Sequence, residues 1–227
     1  MLTTGQRGDA EEDMDQQTVH LFILDGMADW EPSYAVAGIN QAAFQTNPGR
    51  YTVKTVGPSA DAVRTMGGLA VTPDLELDQL APEDSALLIL PGATAFEQGE
   101  HSAAAEKARE FLAAGVPVAA ICGATMALAQ RGILDGRPHT SNAAEYLAMQ
   151  PGYAGGAHYV DAPALRAGDL VTASAMAPVD FARAIFERLE LYAPEVTEAW
   201  YALYRHGDPA GFYALQASAG TEQGAAA

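Results

Sequence analysis

Gly115-Val116-Pro117-Val118-Ala119-Ala120-Ile121-Cys122-Gly123-Ala124-Thr125-Met126-Ala127-Leu128-Ala129-Gln130 is the stretch that decides the fold. Its first part is apolar and partly β-branched, which reads as a buried strand. Its last part carries helix formers. The predicted order is therefore strand, sharp turn, helix, with Cys122 at the turn. That arrangement has the form of a nucleophile elbow, which exposes a Ser or Cys above an α/β sheet. A thiol there meets unpaired N–H groups and the positive end of a helix dipole, and both favour thiolate. The competing view is that a lone cysteine ending a buried strand is a small inert hydrophobe. The setting favours the functional view.

Outward from this stretch the pattern alternates. Val19 to Leu24 reads as a strand ending at Asp25-Gly26. Glu31 to Gln45 has helical spacing, with Pro32 suited to its first turn. Tyr51 to Val56 is a second strand, closed by Gly57-Pro58, and residues 67–72 form a short excursion. Ala86 to Leu90 is a strand followed by Pro91-Gly92-Ala93. Ser102 to Ala114 is a helix closed by Gly115. Beyond the elbow, Pro138 to Ser141, Ala157 to Val160 and Leu170 to Ala173 read as strands. Pro178 to Leu191 is an amphipathic helix. Residues 194–216 read as one or two helices carrying Trp200, Tyr201, Tyr204, Phe212 and Tyr213. Those aromatics are expected to bury against the body or a second subunit, or to cover a pocket. Residues 1–17 read as a mobile acidic leader, 18–191 as one α/β domain, 192–216 as its helical extension and 217–227 as a disordered tail.

Strands alternating with helices over short loops argue for a mostly parallel sheet covered on both faces. Ligands of such sheets bind at the carboxyl ends of the strands. Three strand ends carry chemistry: Asp25-Gly26 with Glu31 just beyond, Pro91-Gly92-Ala93, and Cys122-Gly123.

Composition narrows the partners. The 227 residues carry a net charge of −17 with only two lysines, Lys54 and Lys107. Such a chain is repelled by nucleic acid and anionic membranes. One cysteine cannot form an internal disulfide, which points to a reducing cytoplasm. No apolar run reaches about 18 residues. No metal-ligand spacing is present, Gly67-Gly68 is no phosphate loop, and no cofactor is expected.

In order along the chain, these pieces resemble the ThiJ/PfpI superfamily, cysteine-dependent relatives of class I glutamine amidotransferases. The resemblance covers about Thr18 to Glu190. It rests on Ile23-Leu24-Asp25-Gly26-Met27-Ala28-Asp29-Trp30-Glu31, Leu88-Ile89-Leu90-Pro91-Gly92-Ala93, Ala120-Ile121-Cys122-Gly123-Ala124-Thr125, Leu134-Asp135-Gly136-Arg137 with Thr140, and Leu170-Val171-Thr172-Ala173 with Ala177-Pro178-Val179-Asp180-Phe181-Ala182. It implies a flavodoxin-like three-layer sandwich and a homodimer. It makes Cys122 the nucleophile or redox thiol, and Glu31 a buried, protonated carboxyl bonded to the thiolate. The Ala93 and Gly123 amides become an oxyanion hole, with Gly92, Thr125 and Asp25 near the substrate. For Glu31 the alternative is a helix N-terminal acid facing the dipole, and for Asp25 it is turn capping.

Two departures matter. Ala93 stands where the family has a second glycine, and Gly123 stands where the peptidase branch has a histidine. Among the five histidines, His139 is the candidate to approach Cys122, with His158 behind it; most lone histidines are structural. Three functions follow. The first is an enzyme acting on a small electrophile, of glyoxalase III, deglycase or hydratase type. The second is a redox-sensing, stress-response thiol. The third is a peptidase or amidase, weakened by Gly123.

Overall fold

The structure, a computed structural model, describes residues 16–225, and side chains through residue 218. The central sheet is built from β1 (Gln17–Phe22), β2 (Tyr51–Gly57), β5 (Leu75–Glu76), β6 (Leu87–Leu90), β7 (Val118–Ile121), β8 (Ala164–Ala167) and β9 (Leu170–Ala173), in the order β5-β2-β1-β6-β7-β9-β8. Every pairing in it is parallel except β8 with β9. β6 and β7 are fully buried along their length. This is why both read as continuous apolar runs rather than alternating ones.

Helices cover both faces. On one lie α1 (Trp30–Asn40) and α6 (Pro178–Leu189), with α7 (Pro194–His206) packed on α6 and α8 (Pro209–Ala225) on α7. On the other lie α2 (Thr94–Glu97), α3 (Ser102–Ala113), α4 (Gly123–Gln130) and α5 (Ala144–Ala148). The result is the expected three-layer α/β sandwich with added C-terminal helices. Gly115 ends α3 in the left-handed region, at φ 77°. Its N–H bonds Leu112 O and that of Val116 bonds Phe111 O, closing the helix end as a glycine there does.

Of the aromatics expected to bury, Trp200 does so against the body of the same chain and Tyr201 is half-buried, while Tyr204 of α7 and Phe212 and Tyr213 of α8 are exposed. Trp200 meets Phe186 of α6 edge-on at 4.9 Å, and Tyr201 donates to Asp180 at 2.6 Å. No helix among the described residues is long and apolar enough to cross a membrane.

Several local expectations are corrected. Pro138 to Ser141 and Ala157 to Val160 are not strands. They share one parallel bridge, His139 with Tyr159, and residues 155–158 form a 3-10 turn. The edge strand is instead β8, which pairs antiparallel with β9 across the Gly168-Asp169 turn. Residues 63–71 form a two-stranded hairpin, β3 (Val63–Arg64) with β4 (Ala70–Val71), where a short excursion was expected. The expected tail from residue 217 is helical to Ala225, as part of α8. Of the expected leader, residues 1–15 lie outside the described region, while Gln17 already opens β1.

Candidate active site at the carboxyl ends of β1, β6 and β7

Strand register sets the site. Leu90 pairs with Ala120, and Ile121 with Ala173, so the carboxyl ends of β6, β7 and β9 lie level. On β6's other side runs β1, whose exit loop is tied back by the Ala28 N–H to Gly92 O at 3.0 Å. The chain leaves β1 toward β2 on one side, and β6 lies on the other. The strand order reverses there, the position at which sheets of this kind bind ligands.

Cys122 caps β7 at φ 57°, ψ −125°, a strained conformation for a residue with a Cβ. Its N–H bonds Ala173 O at 3.0 Å, which holds the turn open. Thr125 closes it from behind, donating to Cys122 O at 2.6 Å and meeting the Ser141 hydroxyl at 2.6 Å. The thiol remains partly exposed.

Glu31, in the first turn of α1, is almost wholly buried beside it. Its Oε2 accepts the Gly92 N–H at 2.5 Å. A Cβ on Gly92 would lie 2.6 Å from Cys122 Cβ, 2.7 Å from Glu31 Oε2 and 2.9 Å from Cys122 Sγ. Gly92 is therefore the contact point of carboxyl and thiol, and any side chain there would force the two apart. The backbones of Ala93 and Gly123 also close on each other. A Cβ on Gly123 would sit 2.7 Å from Ala93 O and 3.2 Å from Ala93 N. A Cβ at position 123 would therefore press on the Ala93 backbone in this chain. The Gly123 N–H faces the thiol and lowers its pKa.

The proton balance follows the sequence expectation at Glu31, whose pKa is raised, and departs from it at the thiol. Burial pushes Glu31 up to about 7, against the Gly92 and Cys122 hydrogen bonds that favour its charged form. Burial, then the Glu31 charge, pushes the Cys122 thiol up to about 12. The Gly123 and Asn142 donors pull the other way without prevailing. Beside an ionised Glu31 the sulfur rests as thiol. The helix start alone does not make a thiolate, because desolvation of a sulfur anion next to a carboxylate outweighs it.

His139 does not serve the thiol. The ring is fully buried, with Nδ1 on Arg137 O at 2.8 Å and Nε2 on the Tyr153 hydroxyl at 2.6 Å. Both nitrogens are engaged away from Cys122. The side chain that reaches the sulfur is Asn142, whose Nδ2 donates to Sγ at 3.6 Å while its Oδ1 accepts the Ala175 N–H at 2.9 Å. Asn142 lies three residues beyond His139 in a loop with no periodic signal, so nothing local in the sequence marks it.

Thr125 and Asp25, expected near the substrate, both make contacts within the chain. Thr125 is fully buried, and its hydroxyl is already engaged. Asp25 Oδ1 accepts the Arg64 N–H at 2.7 Å and fixes the β3–β4 hairpin. Asp29 does the same through the Gly67 N–H at 2.6 Å. No group of three or more His, Cys, Asp or Glu side chains among the described residues is placed to hold a metal.

Comparison with known proteins identifies the family of this fold. The YoaZ protein of Bacillus subtilis (strain 168), named an uncharacterized protease, is 36% identical over 204 residues, covering 89% of this chain and 97% of that protein. The deglycase PfpI of Pyrococcus furiosus is 39% identical over a shorter 75 residues, 33% of this chain and 45% of its own. The crystal structure of a thiJ/pfpI family protein from Bacillus anthracis superposes with a TM-score of 0.83 at 39% identity, covering 89% of this chain and 98% of that one. The DJ-1 superfamily protein Atu0886 from Agrobacterium tumefaciens gives a TM-score of 0.76 at 32% identity, covering 85% and 100%. The family model described as DJ-1/PfpI matches residues 17–188. With its cysteine elbow and the strand order that carries it, the chain belongs to the DJ-1/PfpI family.

Proposed function

We propose that this protein is a cysteine-dependent enzyme that adds Cys122 to the carbonyl of a small electrophile, in the manner of a glyoxalase III or deglycase. One observation carries the proposal: the buried Glu31 carboxyl and the Cys122 thiol converge on Gly92, where a Cβ would touch both. In the first step Sγ bonds to the carbonyl carbon and the thiol proton passes to Glu31. The C=O electron pair moves to oxygen, which lies toward the Ala93 and Gly123 amides. Glu31, with a pKa near neutrality, returns that proton to the adduct oxygen. It then takes the C1 proton of the hemithioacetal and delivers it to C2 through an enediol, leaving a 2-hydroxyacyl thioester on Cys122. Water activated by Glu31 attacks the thioester carbon, the C–S bond breaks and the sulfur regains its proton. With methylglyoxal the sum is addition of water to give lactate. The aldehyde carbon is oxidised and the ketone carbon reduced, so no outside oxidant enters. The name of the Pyrococcus relative is consistent with such a substrate. A peptidase reading lacks a base of the usual kind, since both His139 nitrogens are held elsewhere. Conversion of methylglyoxal to lactate by the wild type, lost in Cys122→Ala and in Glu31→Gln, is the expected result. Equal turnover in Cys122→Ala would end the proposal.

A further inference from the structure

The C-terminal helices close a cavity of about 490 Å³ against α1, a volume that suits a small molecule. Tyr34 and Ala37 of α1, Phe44 just beyond it, Trp200 and Tyr204 of α7 and Leu215 of α8 line the space. None of the described side chains on its wall is charged. α1 turns Glu31, Ala35 and Ile39 inward and a different stripe, Tyr34 and Ala37, toward the cavity. The helical walls are set by backbone contact. A Cβ on Gly211 of α8 would lie 2.4 Å from Ala199 O of α7, so the two helices already touch and cannot close further on the space.

Trp200 carries the chemistry. It is 6% exposed, with Phe186, Tyr204 and Tyr34 packed around its ring at 4.9, 5.1 and 6.2 Å. Its indole N–H has no acceptor among the described residues. A tryptophan this buried ordinarily pairs that N–H. Nor is the nitrogen sealed in the core, as the unpaired Asp29 Oδ1, Arg131 Nε and Asp180 Oδ2 are; it opens on the cavity that Trp200 lines. The hydroxyls of Tyr34 and Tyr204 are likewise without partners among the described residues. An aromatic wall therefore presents one buried donor and two further donors, with no charge to match an ion.

We propose that this cavity binds an uncharged aromatic molecule carrying a hydrogen-bond acceptor, such as a ketone oxygen, with the acceptor on the Trp200 indole N–H. The site is separate from Cys122, and the inference does not depend on the reaction proposed there. Ring packing against Tyr34, Phe44 and Tyr204 supplies the apolar contact. An ion of either sign would lose its hydration with no countercharge on the wall. A cation also brings no acceptor, and Trp200 is already met by three rings.

The probe is 6-propionyl-2-dimethylaminonaphthalene, a neutral two-ring ketone whose emission reports polarity and hydrogen bonding. The chain has two tryptophans, and Trp30→Phe leaves Trp200 alone as the energy donor. Saturable one-to-one binding is expected, with energy transfer from Trp200 and blue-shifted probe emission. Ala37→Phe projects a ring into the cavity from an exposed position of α1 and is expected to weaken binding about tenfold or more. Cys122→Ala is expected to leave binding unchanged. Displacement of the probe by 2-acetylnaphthalene and by 2-isopropylnaphthalene isolates the hydrogen bond. Trp200→Phe is expected to weaken the ketone about fivefold more than the hydrocarbon, a ratio that cancels any general loss of packing.

Absence of saturable binding, or binding undiminished in a folded Ala37→Phe variant, overturns the inference. So does an equal loss of ketone and hydrocarbon in Trp200→Phe. Stronger displacement by 2-naphthyltrimethylammonium than by the ketone would overturn the ligand class. Probe affinity that falls as protein concentration rises would put a second copy of the chain in the cavity instead.

Discussion

Glu31→Gln is expected to make the protein more stable and less active, and the stability gain is expected to depend on pH in one direction. The carboxyl is held near 7 in the folded chain against 4.5 in the unfolded one. Between those values the folded state binds the extra proton, so this group's contribution to stability falls as pH rises from 4.5 to 7. The difference corresponds to about 3 kcal/mol at about 1.4 kcal/mol per pH unit. Gln carries no charge at any pH. Its amide oxygen can still accept the Gly92 N–H, which now meets Glu31 Oε2 at 2.5 Å. Its NH2 can face the sulfur. The variant should therefore match the wild type near pH 4.5 and exceed it by about 2–3 kcal/mol at pH 8.5. In a domain of this size that is about 4–12 °C in Tm. Denaturant titrations at the two pH values measure it. Removing the neighbouring charge also lowers the thiol pKa, so iodoacetamide labelling of Cys122 at fixed pH should speed up while aldehyde turnover falls by about 10²-fold or more. A variant that is less stable at pH 8.5, or whose stability offset is the same at both pH values, would refute the idea that Glu31 is a desolvated carboxylate held ionisable for chemistry.

Gly92→Ala places a methyl within 2.6–2.9 Å of Cys122 and Glu31. It should cost about 1–3 kcal/mol in a denaturant titration and abolish turnover, because thiol and carboxyl must part to admit it. Asn142→Asp keeps the acceptor for the Ala175 N–H and replaces the donor on Sγ by a carboxylate. The pH profile of Cys122 labelling should shift upward with the fold intact by circular dichroism; an unchanged profile would remove Asn142 from the site. His20, buried and held at about 4 mainly by desolvation and then by Lys54, has its folded pKa below its unfolded value of 6.5. Its contribution is present above 6.5 and is lost as pH falls through 4, amounting to about 3 kcal/mol at full extent. His20→Gln should flatten the acid side of the stability profile, and an unchanged acid limb would count against a buried neutral imidazole.

Much of this molecule was legible because its signals are local. The apolar runs at Val19, Ala86 and Val116 are continuous because β1, β6 and β7 are sandwiched by helices, and burial on both faces erases alternation. The Gly115 stop and the Cys122-Gly123 elbow need only a few φ values and the start of a helix. Where sequence failed, the deciding contact was remote. His139 sits in an apolar-looking segment with a thiol partner plausible by order, yet Tyr153, fourteen residues on, takes its Nε2. β8 has little buried surface of its own and exists because β9 offers an edge to pair with.

The sequence by itself determined the layered α/β architecture, the place of the thiol at a strand-to-helix turn and the acid after the first strand, since each follows from periodicity and turn chemistry within about ten residues. Only the tertiary structure decided what surrounds that thiol. It set Asn142 rather than a histidine on the sulfur, closed Gly92 between carboxyl and thiol, and ran Glu97 and Tyr146 together beside them. Those pairings join residues 20 to 61 positions apart, and the desolvation they produce overrides the helix start in fixing where the proton rests. Burial is a property of the packed whole, and no local pattern encodes it.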